Sequence, residues 1–208
     1  MKVLVIGASG KTGKLVVKQL VDKGYSVSAL ARRAETVKTY GQRVSVVVGD
    51  ATNLEDLNQA LAGQDAVIST IGSKPMQQTS LETAFIKNLL AAPASKQLKR
   101  FIWVSIWGVA ASQDKIFGSM KLASKTAIKH IFADKNRAEA LLASSQLPFV
   151  MVRPGFLSQA PAKGNVQASL TGENLRHTIS RADLAEFMTQ QLTSDHWLRQ
   201  APLVGYSR

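Results

Sequence analysis

A chain of 208 residues, 45% of them apolar, can bury one sizeable core, and no apolar run approaches the ~20 residues that span a bilayer. Cysteine is absent, which excludes disulfides, thiolate metal sites and cysteine nucleophiles and fits a reducing, cytoplasmic setting. Lys and Arg number 26 against 14 Asp and Glu, a formal +12 that steers anionic partners; the basic residues are scattered without interleaved aromatics, which disfavours a nucleic-acid groove and leaves an anion pocket.

The apolar run Lys2 to Ile6 predicts a first strand, and it passes directly into Gly7-Ala8-Ser9-Gly10-Lys11-Thr12-Gly13. So short an apolar start argues against a signal peptide. Leu15, Val16, Leu20 and Val21 then recur at helical spacing, and the helix ends near Lys23-Gly24. Strands follow at Ser26 to Ala31 and Val44 to Val48, and Asn53 is expected to cap a helix through Leu61. Ala66 to Ser69 is the fourth strand, with Thr70 to Ser73 as its exit. A helix from Ser80 to Ala92 precedes a fifth strand, Phe101 to Val104. One long helical stretch reaches Ser145, and a sixth strand, Phe149 to Val152, ends at Arg153-Pro154-Gly155. A short strand near Val166 to Leu170 and a last helix, Arg181 to Leu192, complete the pattern. Strands alternating with helices predict an α/β single-domain Rossmann fold over residues 1–208, a doubly wound parallel sheet covered on both faces.

The spacing G-x-x-G-x-x-G between a strand and a helix is the turn of a dinucleotide-binding unit. Gly7, Ser9, Gly10, Lys11, Thr12 and Gly13 are therefore expected to hold a pyrophosphate, with the helix amides facing the anion. The second strand ends Leu30-Ala31-Arg32-Arg33, where NAD-binding units carry an acid. A guanidinium there suits a 2′-phosphate and predicts NADPH, with Arg32 the phosphate ligand and Arg33 flanking the adenine. Asp50 either accepts from the adenine amino group or is a plain turn aspartate; Ala51 follows it in the expected adenine pocket.

Ligands of doubly wound sheets lie over the strands' carboxyl ends. Thr70 to Lys74, Ser105 to Gly108 and Pro154 to Leu157 should therefore line the reaction site. Ser105 takes the substrate-side serine position of short-chain dehydrogenases. Lys135 fits the lysine of their tyrosine–lysine pair, but Ile131 stands where the phenol belongs, and Tyr25, Tyr40 and Tyr206 lie elsewhere. Trp107 either packs in the core or offers a flat face to an aromatic substrate. His130, His177 and His196 lack metal-ligand spacing, so no metal is expected.

With these motifs the chain resembles the atypical short-chain dehydrogenases with NAD(P)H-binding domains, most closely the biliverdin-IXβ reductase/flavin reductase family. The resemblance rests on GASGKTG (7–13), LARR (30–33), VVVGD (46–50), GQDAVISTIG (63–72), the stretch 137–155 and ISRADLAEFMTQQLTSD (179–195). It implies an NADPH-dependent reductase with a permissive pocket for a flavin or a linear tetrapyrrole. Ser105 would lie beside the nicotinamide, with Lys135 as a further catalytic candidate. Thr70, Ile71, Gly72, Pro154, Gly155 and Phe156 would hold the ring, and Lys74 would be the basic residue near the substrate. Members of the family can carry histidines at the positions of Lys135 and Phe156, and this chain has neither. Two other functions suit the same residues: a non-catalytic NmrA-like NADP(H) sensor, and a sugar-nucleotide or quinone oxidoreductase.

Overall fold

The computed structural model describes residues 1–73, 80–116, 118–126 and 128–208, apart from the side chains of residues 38–41, 119, 120 and 123. The expected Lys74 contact lies outside the described residues.

In chain order the elements are β1 (Lys2–Ile6), α1 (Lys11–Asp22), β2 (Ser26–Ala31), β3 (Val44–Val48), α2 (Leu54–Leu61), β4 (Ala66–Ser69), α3 (Leu81–Ala91), β5 (Arg100–Val104), α4 (Gly118–Lys125) and α5 (Lys129–Ala143). There follow β6 (Phe149–Pro154), β7 (Phe156–Ser158), β8 (Val166–Ser169), β9 (Thr178–Ser180), α6 (Arg181–Gln190) and β10 (Leu203–Tyr206). Eight strands form one sheet in the order β3-β2-β1-β4-β5-β6-β10-β8, while β7 and β9 pair separately. All neighbours run parallel except β10 and β8, which places one antiparallel strand at the edge of an otherwise parallel sheet.

Strand alternation divides the core between the two faces. Val3 and Val5 of β1 point into a cluster with Val16, Val17 and Leu20 of α1 and Leu184 and Met188 of α6. Leu4 and Ile6 point the other way, to Leu57 of α2, Phe85 and Ile86 of α3 and Leu142 of α5. With both faces covered, β1 reads as a continuous apolar run.

The long helix expected between Ser105 and Ser145 is not continuous. A 3-10 turn at Ala110–Lys115, α4 and α5 occupy this stretch. Gly108, at φ +99°, turns the chain away from β5 before any helix begins.

Two buried polar arrangements join elements that are distant in sequence. Arg153 at the end of β6 forks onto Glu139 of α5, its Nε 3.0 Å from one carboxylate oxygen and its Nη2 on the other, and both side chains are buried. Asp183 at the start of α6 accepts from the Tyr206 hydroxyl at 2.6 Å, the Ser180 hydroxyl at 2.8 Å and the amides of Lys163 and Gly164. Burial pushes the Asp183 carboxyl up, but these four donors outweigh it and hold it below the usual aspartate value.

Candidate active site

β2 and β3 lie on one side of β1, and β4 to β6 on the other, so the winding reverses between β1 and β4. The glycine turn stands at that switch point. Gly7 adopts φ +83°, and a Cβ there would lie 2.9 Å from both the carbonyl carbon and the Oγ1 of Thr70. Thr70 clamps the turn from the β4 side: its amide donates to the Ile6 carbonyl at 2.9 Å and its hydroxyl to the Gly7 carbonyl at 3.2 Å. Gly10 caps α1, with no side chain satisfying the first-turn amides and no acid in that turn. The positive end of a twelve-residue helix is thus left for an anion, and the glycine cradle fits a pyrophosphate.

Two clefts meet over this turn. The first, about 260 Å³, runs from Gly7, Ser9 and Gly10 past Arg32 to Asp50 and Ala51, with Thr70, Ile71 and Gly72 as its opposite wall. Arg32 is exposed and lies across this cleft from the turn. Asp50 Oδ1 accepts from both the amide and the hydroxyl of Thr52 at 2.8 Å, so it forms an Asx turn while also lining the cleft. Burial raises the Asp50 carboxyl, but the Thr52 donors and the Arg32 charge together hold it below the usual range.

The second cleft, about 470 Å³, shares Thr70, Ile71 and Gly72 with the first. Its other walls are Thr12 from α1, the segment Val104 to Ile106, Lys135 from α5, the segment Pro154 to Leu157, and Arg181 from α6. Ser105 is only 3% exposed, and its hydroxyl is buried without a hydrogen-bond partner. Lys135 is buried too; its Nζ donates to Glu82 Oε2 at 2.6 Å and to the Val104 carbonyl at 3.1 Å, and lies 5.0 Å from the centre of a Trp103 ring. Burial pushes the Glu82 carboxyl up despite the Lys135 charge and hydrogen bond, and the nearby Asp134 and Glu139 charges act in the same direction as burial.

Two expected positions, Trp107 and Gly13, are corrected. Trp107 is 1% exposed and packs with Leu175 and Leu203, its indole N–H donating to the Lys115 carbonyl at 3.0 Å. The cause is that the ladder continues beyond β5: the amides of Ser105 and Trp107 donate to the carbonyls of Val152 and Pro154, which carries Trp107 under the sheet's far end. Gly13 is buried against the turn itself, where a Cβ would stand 2.1 Å from the Gly7 carbonyl oxygen, so it seats α1 rather than facing either cleft. Lys11, the first residue of α1, and Arg33, which follows Arg32, are both exposed. Glu82 was not anticipated from sequence; its one signal is a carboxylate near the start of an otherwise apolar helix. Among the described residues no group of three or more His, Asp or Glu side chains could hold a metal, and no helix is long and apolar enough to cross a membrane.

A family model described as NAD(P)H-binding matches residues 7–195, from the glycine turn to beyond α6. The chain belongs to this NAD(P)H-binding family. A nicotinamide dinucleotide is accordingly its cofactor class. The chain is 29% identical to an uncharacterised chloroplastic protein of Arabidopsis thaliana, over 93% of this chain and 72% of that one. It is also 29% identical to the uncharacterised sugar epimerase YhfK of Bacillus subtilis, over 92% of this chain and 88% of the relative. Among solved structures, the anaerobillin reductase ChuY of Escherichia coli O157:H7 superposes with a TM-score of 0.83 at 24% identity, covering 99% of this chain and 97% of that one. That likeness is one of fold.

Proposed function

We propose that the protein is an NADPH-dependent reductase that passes hydride to a flavin-like or linear tetrapyrrole acceptor in a reducing, cytoplasmic compartment. The observation that carries this reading is the pair of clefts joined at Thr70, Ile71 and Gly72, the second of them holding the unpartnered Ser105 hydroxyl. One cleft suits the adenosine and pyrophosphate, the other a nicotinamide with an acceptor against it. Bound NADPH supplies the hydride. The chain's part is to fix donor and acceptor in contact, which turns an encounter into a unimolecular step. Ser105 offers the hydrogen bond that sets the ring's position, and Arg181 with the basic surface favours acceptors bearing phosphate or propionate groups. The anaerobillin reductase among the structural neighbours supports a bilin-type acceptor.

Arg32 is the residue assigned to the 2′-phosphate. Its loss should remove one charge-assisted contact of about 1.5–3 kcal/mol, or about ten- to a hundredfold in affinity. Arg32→Ala is therefore expected to weaken NADPH by that factor and leave NADH nearly unchanged, measured by fluorescence titration of each cofactor. Equal weakening of both would remove the NADPH assignment.

Ser105→Ala separates positioning from chemistry. A lost neutral hydrogen bond should lower turnover of both FMN and biliverdin by less than about tenfold. Steady-state rates at saturating NADPH give both values; a loss of three or more orders of magnitude on FMN would make the hydroxyl essential.

A second reading, a non-catalytic NADP(H) sensor, draws on Ile131 at the phenol position and on a cleft lining without tyrosine among the described residues. NADPH consumption with FMN, a quinone and biliverdin decides: tight cofactor binding without turnover on any of them selects the sensor.

A further inference from the structure

Reducing a bilin takes a proton as well as a hydride, and the second cleft is poor in groups that can give one. Its described lining contains no His, Tyr, Asp or Glu. The hydroxyls of Thr12, Thr70 and Ser105 are feeble acids, and the Arg181 guanidinium keeps its protons. Lys135 is the remaining lining group with a proton to transfer.

We propose that Lys135 and Glu82 act as one proton-delivering unit, in which the Lys135 ammonium protonates the acceptor and the buried Glu82 carboxylate keeps that ammonium charged within the fold. The proposal rests on the reductase reading above. Lys135 is the proton donor; Glu82, which does not reach the cleft, is a positioning residue.

The geometry is unusual for a purely structural ion pair. An ammonium taken out of water costs several kcal/mol unless it is paired and its hydrogen-bonding capacity filled. Here Nζ has one carboxylate oxygen and one carbonyl, that of Val104, the residue directly before Ser105. Glu82 uses only Oε2, while Oε1 is buried with no partner. The Trp103 indole N–H beside the pair is likewise buried and unpartnered. These unused groups surround a charge held at the cleft wall.

The neighbouring charges are occupied elsewhere. Asp134 accepts from the amides of Glu82 and Thr83 at the start of α3 and from the Thr83 hydroxyl, and lies 3.7 Å from Arg137. Glu139 is taken by the fork of Arg153. Neither carboxylate hydrogen-bonds to Lys135, and among the described residues Glu82 is the carboxylate in contact with its Nζ.

The acceptor gains two electrons with the hydride of the reduced nicotinamide and one proton from Nζ. One N–H bond of Lys135 breaks and its electron pair stays on nitrogen, while a new bond to hydrogen forms on the acceptor. The neutral amine left beside Glu82 regains its proton from water entering the cleft.

The test compares the wild type, Lys135→Met, Glu82→Gln and the double variant Glu82→Leu/Lys135→Met with NADPH and either FMN or biliverdin. In Lys135→Met, kcat on biliverdin should fall by about 10²–10⁴-fold, the range of a lost general acid. The NADPH dissociation constant, read by fluorescence, should change by less than about tenfold, the least expected of a lost charge-assisted contact. In Glu82→Gln the alkaline fall of kcat should move to lower pH by about one unit or more, because a buried ammonium has lost its counter-ion. The wild-type kcat on biliverdin should drop in D₂O, and Lys135→Met should abolish that drop. Should either single variant fail to fold, the double variant decides, since apolar replacement of a whole buried pair is commonly tolerated; it should fold, bind NADPH and lose biliverdin turnover. Full turnover in the folded double variant overturns the proposal. So does a tenfold or greater loss of NADPH affinity in Lys135→Met with kcat intact, which would make the lysine a cofactor ligand. A wild type that binds NADPH but reduces neither acceptor overturns the reductase reading and the proposal with it.

Discussion

Gly13→Ala is expected to lower the unfolding midpoint by about 10 °C or to prevent folding. The added methyl would stand 2.1 Å from the Gly7 carbonyl oxygen, 2.8 Å from its carbon and 2.9 Å from the Ala8 Cα, all backbone atoms that cannot rotate aside. Relief requires α1 to lift from the turn, away from the contacts its valines make with β1. Overpacking typically costs about 1–3 kcal/mol and occasionally more, and rigid backbone at 2.1 Å puts this site at the upper end, against a total of only about 5–15 kcal/mol for a folded domain. Each kcal/mol shifts the midpoint of a chain this size by about 2–4 °C. Gly10→Val is the contrasting case. A Cβ at Gly10 meets only the Gly7 carbonyl oxygen, at 3.2 Å, and the residue's φ of −73° suits any side chain. That variant should stay within about 1 kcal/mol of wild type yet lose NADPH binding, because its side chain fills the space over the helix end. Thermal melts and cofactor titrations of the two variants check both halves; a stable Gly13→Ala would show that α1 is not seated on the turn as described.

Glu139→Leu is expected to cost about 3–5 kcal/mol, because it leaves the Arg153 guanidinium buried with the Ala201 carbonyl, 3.3 Å from Nη1, as its remaining partner. The double variant Glu139→Leu/Arg153→Met should recover most of that loss, since no charge then stays inside. Guanidinium denaturation curves give both values. A single variant as stable as wild type would mean that water reaches Arg153. The pair ties α5 to the end of β6, so the same loss should loosen the Pro154 to Leu157 wall of the second cleft.

The parallel half of the sheet was legible because its local and long-range signals agree. β2, β3 and β4 have the bounds their apolar runs predict, and Asn53 caps α2 through its side-chain oxygen, which accepts from the amides of Glu55 and Asp56 at 2.9 and 3.1 Å. Arg32, Asp50, Thr70 and Ser105 could be placed at the clefts for the same reason: each follows a strand whose end is known once the strand is. Three of the misses depend on a distant partner. β7 and β9 have three residues each, too few for a period, and exist because they pair with each other across some twenty residues of chain. Trp107 stayed open between core and cleft because its neighbours Leu175 and Leu203 lie far along the sequence. Glu82 meets Lys135 from 53 positions away, so no local spacing could join them.

The placement of β10 bears on how the molecule is made. Residues 203–206 sit between β6 and β8, so β8 has no seat in the sheet until they have been synthesised. Tyr206 also supplies one of the donors to Asp183, which in turn holds the loop at Lys163 and Gly164. While the chain is still on the ribosome, the β1-to-β6 half can assemble as segments emerge in order, whereas the outer edge of β6 stays bare until the segment from Arg199 onward arrives, because Phe149, Met151 and Arg153 bond there to Arg199, Gln200 and Pro202 before β10 continues the pairing. A nascent chain stalled before Arg199 would therefore carry an open flank along β6, a place for pairing with a neighbouring copy.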